Sequence, residues 1–200
     1  VHVRGFAGQH HPAPAVVVDD AHMHLVRMDL AHIVGNAGRD YGLELPLDEQ
    51  LLQLELTKLK HALTQMEEGN QKSISAIEET NPDYTDAILK LLYVGGMSLH
   101  HTSDVLMTWV ALQIILRSGE TPISVVKAIG YVSYGRMLII SGEIGKGFEF
   151  GVKGLKINRL LDDTSLRCRV FGVYAFYIQP WKKPFAESNP LLEEAADAGR

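Results

Sequence analysis

The chain has 200 residues, of which 46% are hydrophobic and 22% are charged, a balance typical of a globular protein that buries a core. Its net charge of −5 at pH 7 excludes the basic footprint of a nucleic-acid-binding protein. The only cysteine, Cys168, excludes an internal disulfide and a thiolate zinc site and is compatible with a reducing compartment.

Neither a membrane span nor a secretory signal is indicated. The longest apolar run, at 105–116, is shorter than the roughly 20 residues that cross a bilayer. Residues 1–20 lack the positive start, apolar core and cleavage site of a signal peptide. We therefore predict a cytoplasmic protein with no membrane partner and no nucleic acid partner.

Residues 1–20 are expected to form a poorly ordered lead-in, because Gly, Pro and His are mixed there without periodicity. Their histidines His2, His10 and His11 are interpreted as part of an irregular tail, since no carboxylate or cysteine lies at ligand spacing. The chain begins at Val1 rather than Met, so we expect a fragment of a larger protein or a processed product. Residues 21–200 are predicted to form one helical-repeat domain.

Helical periodicity predicts four helices in the first part of this domain. The first covers about 21–41, and the second follows Asp48 as N-cap and stops at Gly69. The third starts at the Asn81-Pro82-Asp83 break and is ended or bent by Gly95-Gly96. The fourth runs from Ser103, a good N-cap, to Arg117 and is apolar on nearly all sides, as expected of a buried repeat helix.

Two tandem helical hairpins are predicted at 122–161 and 162–199. Within them the predicted helices cover about 122–141, 144–161 and 162–179, followed by a turn at 180–184 and a last helix to about 199. A shift of 37 residues superposes Gly135 on Gly172, Ile144 on Trp181, Phe148 on Phe185 and Leu155 on Leu192. A fixed period in the thirties is typical of stacked helix–turn–helix repeats.

The residue types at these positions suggest their roles. Gly135, Gly147 and Gly154 fit places where two helix backbones approach closely. Ile144 and Trp181 are expected to fold back and seal the ends of the hairpins, in which case Trp181→Ala would cost about 3–5 kcal/mol. The predicted structural repeat positions are Gly135, Gly142, Ile144, Gly147, Gly154, Gly172, Trp181, Phe185 and Leu192.

This pattern resembles tetratricopeptide-like repeats, although the period of 37 residues is longer than the standard 34. The resemblance implies an all-α fold in which antiparallel hairpins stack into an open, right-handed solenoid.

A second resemblance covers about residues 36–200. It rests on 42–46 (GLELP), 81–83 (NPD), 118–124 (SGETPIS), 134–135 (YG), 148–151 (FEFG), 181–188 (WKKPFAES) and 190–195 (PLLEEA). These residues resemble the helical segment of very large bacterial and fungal sensor proteins. Those proteins join a serine/threonine-kinase-like domain, a P-loop ATPase domain, the helical segment, a GAF domain and a histidine-kinase core. The resemblance implies a linker segment of such a kinase, with no catalysis of its own.

Motifs for the activities of such a parent are missing. The glycine-rich stretch 142–147 lacks the spacing and the final hydroxyl of a phosphate-binding loop, so it is interpreted as a hairpin turn. No His-Arg-Asp or Asp-Phe-Gly string occurs, and none of the nine histidines is followed by Glu. We therefore predict no cofactor and no catalytic or metal-binding residue.

Three other features have ordinary structural interpretations. The acidic pairs at 19–20, 67–68, 78–79, 162–163 and 193–194 fall at predicted helix ends or exposed faces, where charge is solvated. Cys168 is interpreted as a small buried residue. The aromatic residues are interpreted as core packing, with a ligand groove as the alternative. They are Tyr131, Tyr134, Phe171, Tyr174, Phe176 and Tyr177.

Two hypotheses for function follow. The first is a non-catalytic interaction and signal-transmission segment of a multidomain sensor kinase, whose partners are the neighbouring ATPase and kinase domains. The alternative is a free-standing tetratricopeptide-like adaptor that binds a peptide or protein in a concave groove. An enzyme has no motif in its favour.

Overall fold

A computed structural model describes residues 43, 46, 48–69, 82–99, 103–119 and 124–200. Over these ranges the chain forms seven α-helices and no β-strand, so the all-α prediction is confirmed there. The helices are α1 (Glu49–Glu67), α2 (Pro82–Leu99), α3 (Asp104–Ser118), α4 (Val125–Ile140), α5 (Ile144–Leu161), α6 (Arg167–Val173) and α7 (Asn189–Ala198). Between α6 and α7 the chain forms a π-helical turn, Tyr174–Ile178, and two 3-10 turns, Gln179–Trp181 and Phe185–Ser188.

Some predictions fall on other parts of the chain. The lead-in at 1–20, the helix at 21–41, the acidic pairs at 19–20 and 78–79 and the predicted start of the first hairpin at 122 lie outside the described residues. None of the helices in the described ranges is long and apolar enough to span a membrane.

Local capping explains where two helices begin. The Asp48 carboxylate accepts hydrogen bonds from the backbone N–H groups of Gln50 and Leu51, at 2.9 and 3.0 Å. The Ser103 hydroxyl accepts one from the Leu106 N–H at 3.2 Å. Each bond satisfies an amide that has no partner within its own helix, so both predicted caps are confirmed.

The glycine pair in α2 does not end the helix, which continues to Leu99. Both glycines are buried. A Cβ added at Gly96 would lie 2.9 Å from Cγ1 of Val110 in α3. Gly96 therefore permits a close approach between α2 and α3. Of the two alternatives predicted for this pair, an end of the helix or a bend, the end is wrong.

Helix α3 is the centre of the core. Every residue from Trp109 to Leu116 is buried, because α1, α2 and α4 all pack against this helix. The Trp109 indole N–H donates to the Glu55 carboxylate of α1 at 3.0 Å, so its one polar group is satisfied. The predicted all-round burial of this helix is confirmed.

The start of α6 differs from the prediction, which placed it at Asp162. Asp163 accepts hydrogen bonds from the Ser165 N–H at 3.2 Å, the Ser165 hydroxyl at 2.7 Å and the Leu166 N–H at 3.0 Å. These bonds hold residues 163–166 in a turn, and the helix begins only at Arg167. Asn158, which is fully buried in α5, donates to the Asp163 carbonyl at 3.1 Å and fastens the corner.

Candidate interaction surface

The first hairpin, α4 and α5, is held by backbone contact at glycines. A Cβ added at Gly135 would lie 2.7 Å from the Gly147 carbonyl oxygen, and one added at Gly147 would lie 2.7 Å from the Gly135 oxygen. At Gly154 it would lie 2.8 Å from the Ala128 oxygen. All three distances are too short for a real Cβ, so the predicted close approach at these glycines is confirmed.

Gly151 belongs to the same surface and was missed. A Cβ there would lie 2.9 Å from Tyr174 Cδ2 and from Ile178 Cδ1, both in the π-helical turn. Its spacing of four residues from Gly147 and three from Gly154 places all three on one face of α5. That spacing could have identified Gly151. Helix α4 and the π-helical turn therefore both pack against the face of α5 that carries the three glycines.

The turn at 141–144 ends α4 in a standard helix-terminating geometry. Gly142 has φ +90°, which favours glycine, and its N–H donates to the Ile139 oxygen at 3.0 Å. The Glu143 N–H donates to the Leu138 oxygen at 2.8 Å. These two amides satisfy carbonyls of α4 and do not line a phosphate cradle, so the interpretation of 142–147 as a hairpin bend is confirmed.

The second hairpin lacks such contacts. A Cβ at Gly172 would meet no atom within 4 Å. Trp181 is 58% exposed, so the prediction that it seals the hairpin is wrong. The reason lies in the preceding segment, where a π-helical turn has more residues per turn than an α-helix and so rotates the following side chains out of register. Ile144, at the corresponding place in the first hairpin, is half-buried, as is Leu192 in α7.

Four large aromatic residues within ten positions of the sequence are exposed, and we term them together the aromatic surface: Phe176, Tyr177, Trp181 and Phe185. Their side chains are between 41% and 58% exposed. The Phe176 ring centre lies 6.5 Å from that of Tyr177 and 6.1 Å from that of Phe185. The core interpretation is confirmed for Tyr131, Tyr134, Phe171 and Tyr174, but it is wrong for Phe176 and Tyr177.

Basic groups lie beside this aromatic surface, together with the acidic Glu187. The Arg136 guanidinium carbon lies 4.8 Å from the centre of the Tyr177 ring. Lys182 Nζ lies 5.2 Å from the centre of the Phe148 ring, and Lys183 is 3.8 Å from the carboxylate of Glu187. The Phe148 ring centre in turn lies 5.9 Å from that of Tyr174, which joins the first hairpin to the π-helical turn that also carries Phe176 and Tyr177. An apolar patch with a basic rim suits a partner with apolar anchors and acidic neighbours.

The acidic pairs that the structure describes take part in structural contacts. Glu67 pairs with Lys153, Asp162 lies 2.9 Å from Arg167, and Glu194 lies 3.5 Å from Arg159. Burial raises the pKa of Asp163, but the hydrogen bonds from Ser165 and Leu166 outweigh it and hold this pKa below its usual value. No three His, Cys, Asp or Glu side chains come together in the described part of the chain in a way that could hold a metal ion.

Cys168 is exposed, which corrects the prediction that it is buried. It lies in the first turn of α6, and its spacing of two residues places it on roughly the opposite side of the helix from the fully buried Val170. Its periodicity among apolar neighbours suggested burial, but only one side of α6 faces the core.

Comparisons with protein-family models, with curated proteins and with solved structures find no match to this chain. Its function is therefore argued from its own surfaces.

Proposed function

We propose that this chain is a non-catalytic protein-interaction module that transmits a signal between neighbouring domains. The observation that carries the proposal is the exposed aromatic surface with its basic rim. Aromatic residues and arginine are enriched where proteins bind one another, and truncating such residues usually weakens binding most.

The arrangement of the helices supports a tetratricopeptide-like stack. Helix α4 packs against α3, α5 and α6, and α6 packs against α7, so most contacts join elements close in the sequence. Stacks of this kind pass a displacement from one hairpin to the next, because each repeat contacts only its neighbours. The Phe148–Tyr174 contact is one such junction, since it joins the first hairpin to the segment that carries the aromatic surface.

The resemblance to the helical segment of large sensor kinases makes the proposal specific. In that setting the aromatic surface contacts the ATPase domain or the kinase core of the same protein, and catalysis resides in those domains. The alternative is a free-standing adaptor that uses the same surface for an acidic peptide. The basic rim favours an acidic partner in both cases.

The test is a binding measurement with the domains encoded on either side of this chain in its gene. Each domain is produced separately and titrated with the chain by calorimetry. We expect one of them to bind, and we expect Phe176→Ser with Trp181→Ser to weaken binding at least about tenfold, as for residues central to an interface.

Leu160→Ser provides the matched control. Leu160 is 84% exposed but lies in α5, outside the aromatic surface, so its replacement should leave the affinity unchanged. Equal affinity of the Phe176/Trp181 variant and the parent chain would refute the role of this surface. Binding of neither domain, with binding of an acidic peptide, would favour the adaptor.

A further inference from the structure

A second feature is a cavity of about 440 Å³ that shares no residue with the aromatic surface. Helices α2 and α6 form its sides, and α3 and α4 form its floor. Its volume falls within the roughly 300–1,000 Å³ of pockets that bind small molecules.

The interior of the cavity is apolar. Its wall and floor include Leu92, Met107, Val110, Ile114, Ile129 and Val173. Methionine side chains are flexible and polarisable, so Met107 on the floor and Met97 at the side can adjust to an apolar chain. The apolar lining would exclude a strongly hydrated ligand.

The described residues that line the cavity carry charge of one sign only. Arg169 is the one charged side chain among the described residues that line it, and no carboxylate is among them. The Arg169 guanidinium carbon lies 5.6 Å from the centre of the Tyr93 ring, which holds the cation at the side formed by α2 and α6. A guanidinium recognises carboxylate and phosphate groups with paired hydrogen bonds.

Gly172 provides an independent observation. It lies inside α6, where glycine is less favourable than alanine, yet an added Cβ would meet no atom within 4 Å. Close packing therefore does not account for it, in contrast to Gly135. The absence of a side chain at Gly172 leaves open space on the cavity side of α6.

From this arrangement we propose that the cavity binds an amphiphile with one apolar chain and one anionic head. The chain lies along Met107, Val110 and Ile114, and the head pairs with Arg169. This proposal goes beyond the interaction function above and rests on different residues, so either can fail without the other.

Cys168 makes the proposal directly testable, because it is the only cysteine of the chain, is exposed and lines the cavity. The rate of its alkylation by a maleimide is measured against increasing dodecanoate, below the concentration at which dodecanoate forms micelles. Calorimetry of the same titration measures affinity. We expect saturable binding and a matching, saturable slowing of alkylation.

Three variants identify the site. Arg169→Gln should weaken dodecanoate binding at least about tenfold, because it removes a charge-assisted contact. Arg159→Gln is the control, since its guanidinium also lies over a ring, 5.3 Å from the centre of Phe171, but does not line the cavity. Gly172→Leu should fill the cavity and abolish binding, and a thermal melt verifies that this variant folds.

The head group is tested with dodecyltrimethylammonium, which has the same chain and the opposite charge and should not bind at the same concentration. Equal binding of both amphiphiles, or unchanged binding by Gly172→Leu, would overturn the proposal. Protection of Cys168 by an acidic amphipathic peptide but not by dodecanoate would also overturn the proposal, because the cavity would then bind a protein partner.

Discussion

The two hairpins lie 37 residues apart in the sequence and pack in different ways. In the first, Gly135 and Gly147 bring the backbones of α4 and α5 into contact. In the second, Gly172 meets nothing, and α6 passes into a π-helical turn that exposes the following aromatic residues. The same spacing therefore yields one closed hairpin and one that displays its side chains.

The difference teaches that a period locates helices and turns but not the environment of each side chain. The first hairpin has α3 on one side and α6 on the other, so its positions are covered. Within the described residues the second hairpin follows the first and has no further helix pair beyond it. In the described residues its outer positions, Phe176, Tyr177, Trp181 and Phe185, are exposed and form the aromatic surface.

The largest expected effect separates the buried from the exposed aromatic residues of the second hairpin. Phe171 is fully buried, with the Arg159 and Arg167 guanidinium carbons 5.3 and 6.0 Å from its ring centre. Phe171→Ala should lower the free energy of unfolding by about 3–5 kcal/mol, since it leaves a cavity in the core. Urea denaturation measures this change.

Phe176→Ala is the matched control, because Phe176 is the same residue type five positions later and 55% exposed. Its replacement should change stability by less than about 1 kcal/mol. Similar losses for both variants would show that the π-helical turn does not separate a buried from an exposed face.

The next largest effect is a loss of stability at alkaline pH, which we assign mainly to Tyr134 in the first hairpin. Burial, with smaller contributions from the charges of Glu143 and Glu67, raises the pKa of Tyr134 to about 12. The unfolded chain ionises this group near pH 10. The protonated Tyr134 side chain therefore contributes its full stabilisation of the fold below pH 10. This contribution is lost as the pH rises from 10 through 12, and the free energy of unfolding falls by about 2–3 kcal/mol at most.

Urea denaturation at several pH values from 9 to 12 measures this loss, and absorbance at 295 nm follows the ionisation. Burial also raises the pKa of Tyr131 and Tyr174, so part of the decline should remain in Tyr134→Phe. A decline of undiminished size in that variant would contradict the assignment to Tyr134.

A third effect compares the two glycines that the period equates. Gly135→Ala places a Cβ against the backbone oxygen of Gly147, which cannot move without shifting α5, so we expect a loss of about 1–3 kcal/mol. Gly172→Ala meets open space and should raise stability by about 0.5–1 kcal/mol, because alanine favours the helix. Thermal melting of both variants shows whether each substitution lowers or raises stability. Changes in the same direction would mean that the two hairpins pack alike.

These contrasts show which features were predictable. The caps at Asp48 and Ser103 and the turn at Gly142 depend on hydrogen bonds within a few residues, so the local sequence predicts them. The glycine contacts of α4 and α5 were predictable because glycine inside a helix needs a packing reason. Gly172 shows the limit of that argument, since the same residue type there faces open space.

The aromatic surface was not predictable for a different reason. The exposure of Phe176 and Tyr177 depends on the π-helical turn. That turn packs Tyr174 and Ile178 against Gly151, which lies 23 residues before Tyr174 in the sequence. A helical period applied through residues 166–177 assumes a constant number of residues per turn, and it therefore assigns these two rings to the core.

The smallest expected effect is the most informative about function. Trp181→Ala should change the free energy of unfolding by less than about 1 kcal/mol, because the side chain is 58% exposed and leaves no cavity when truncated. Chemical denaturation followed by circular dichroism measures this change without depending on tryptophan fluorescence. A loss near the 3–5 kcal/mol expected for a sealing residue would place Trp181 in the core after all.

A small loss of stability together with a large loss of partner affinity is the combination that an interface residue produces, since an exposed tryptophan contributes its apolar area only when a partner covers it.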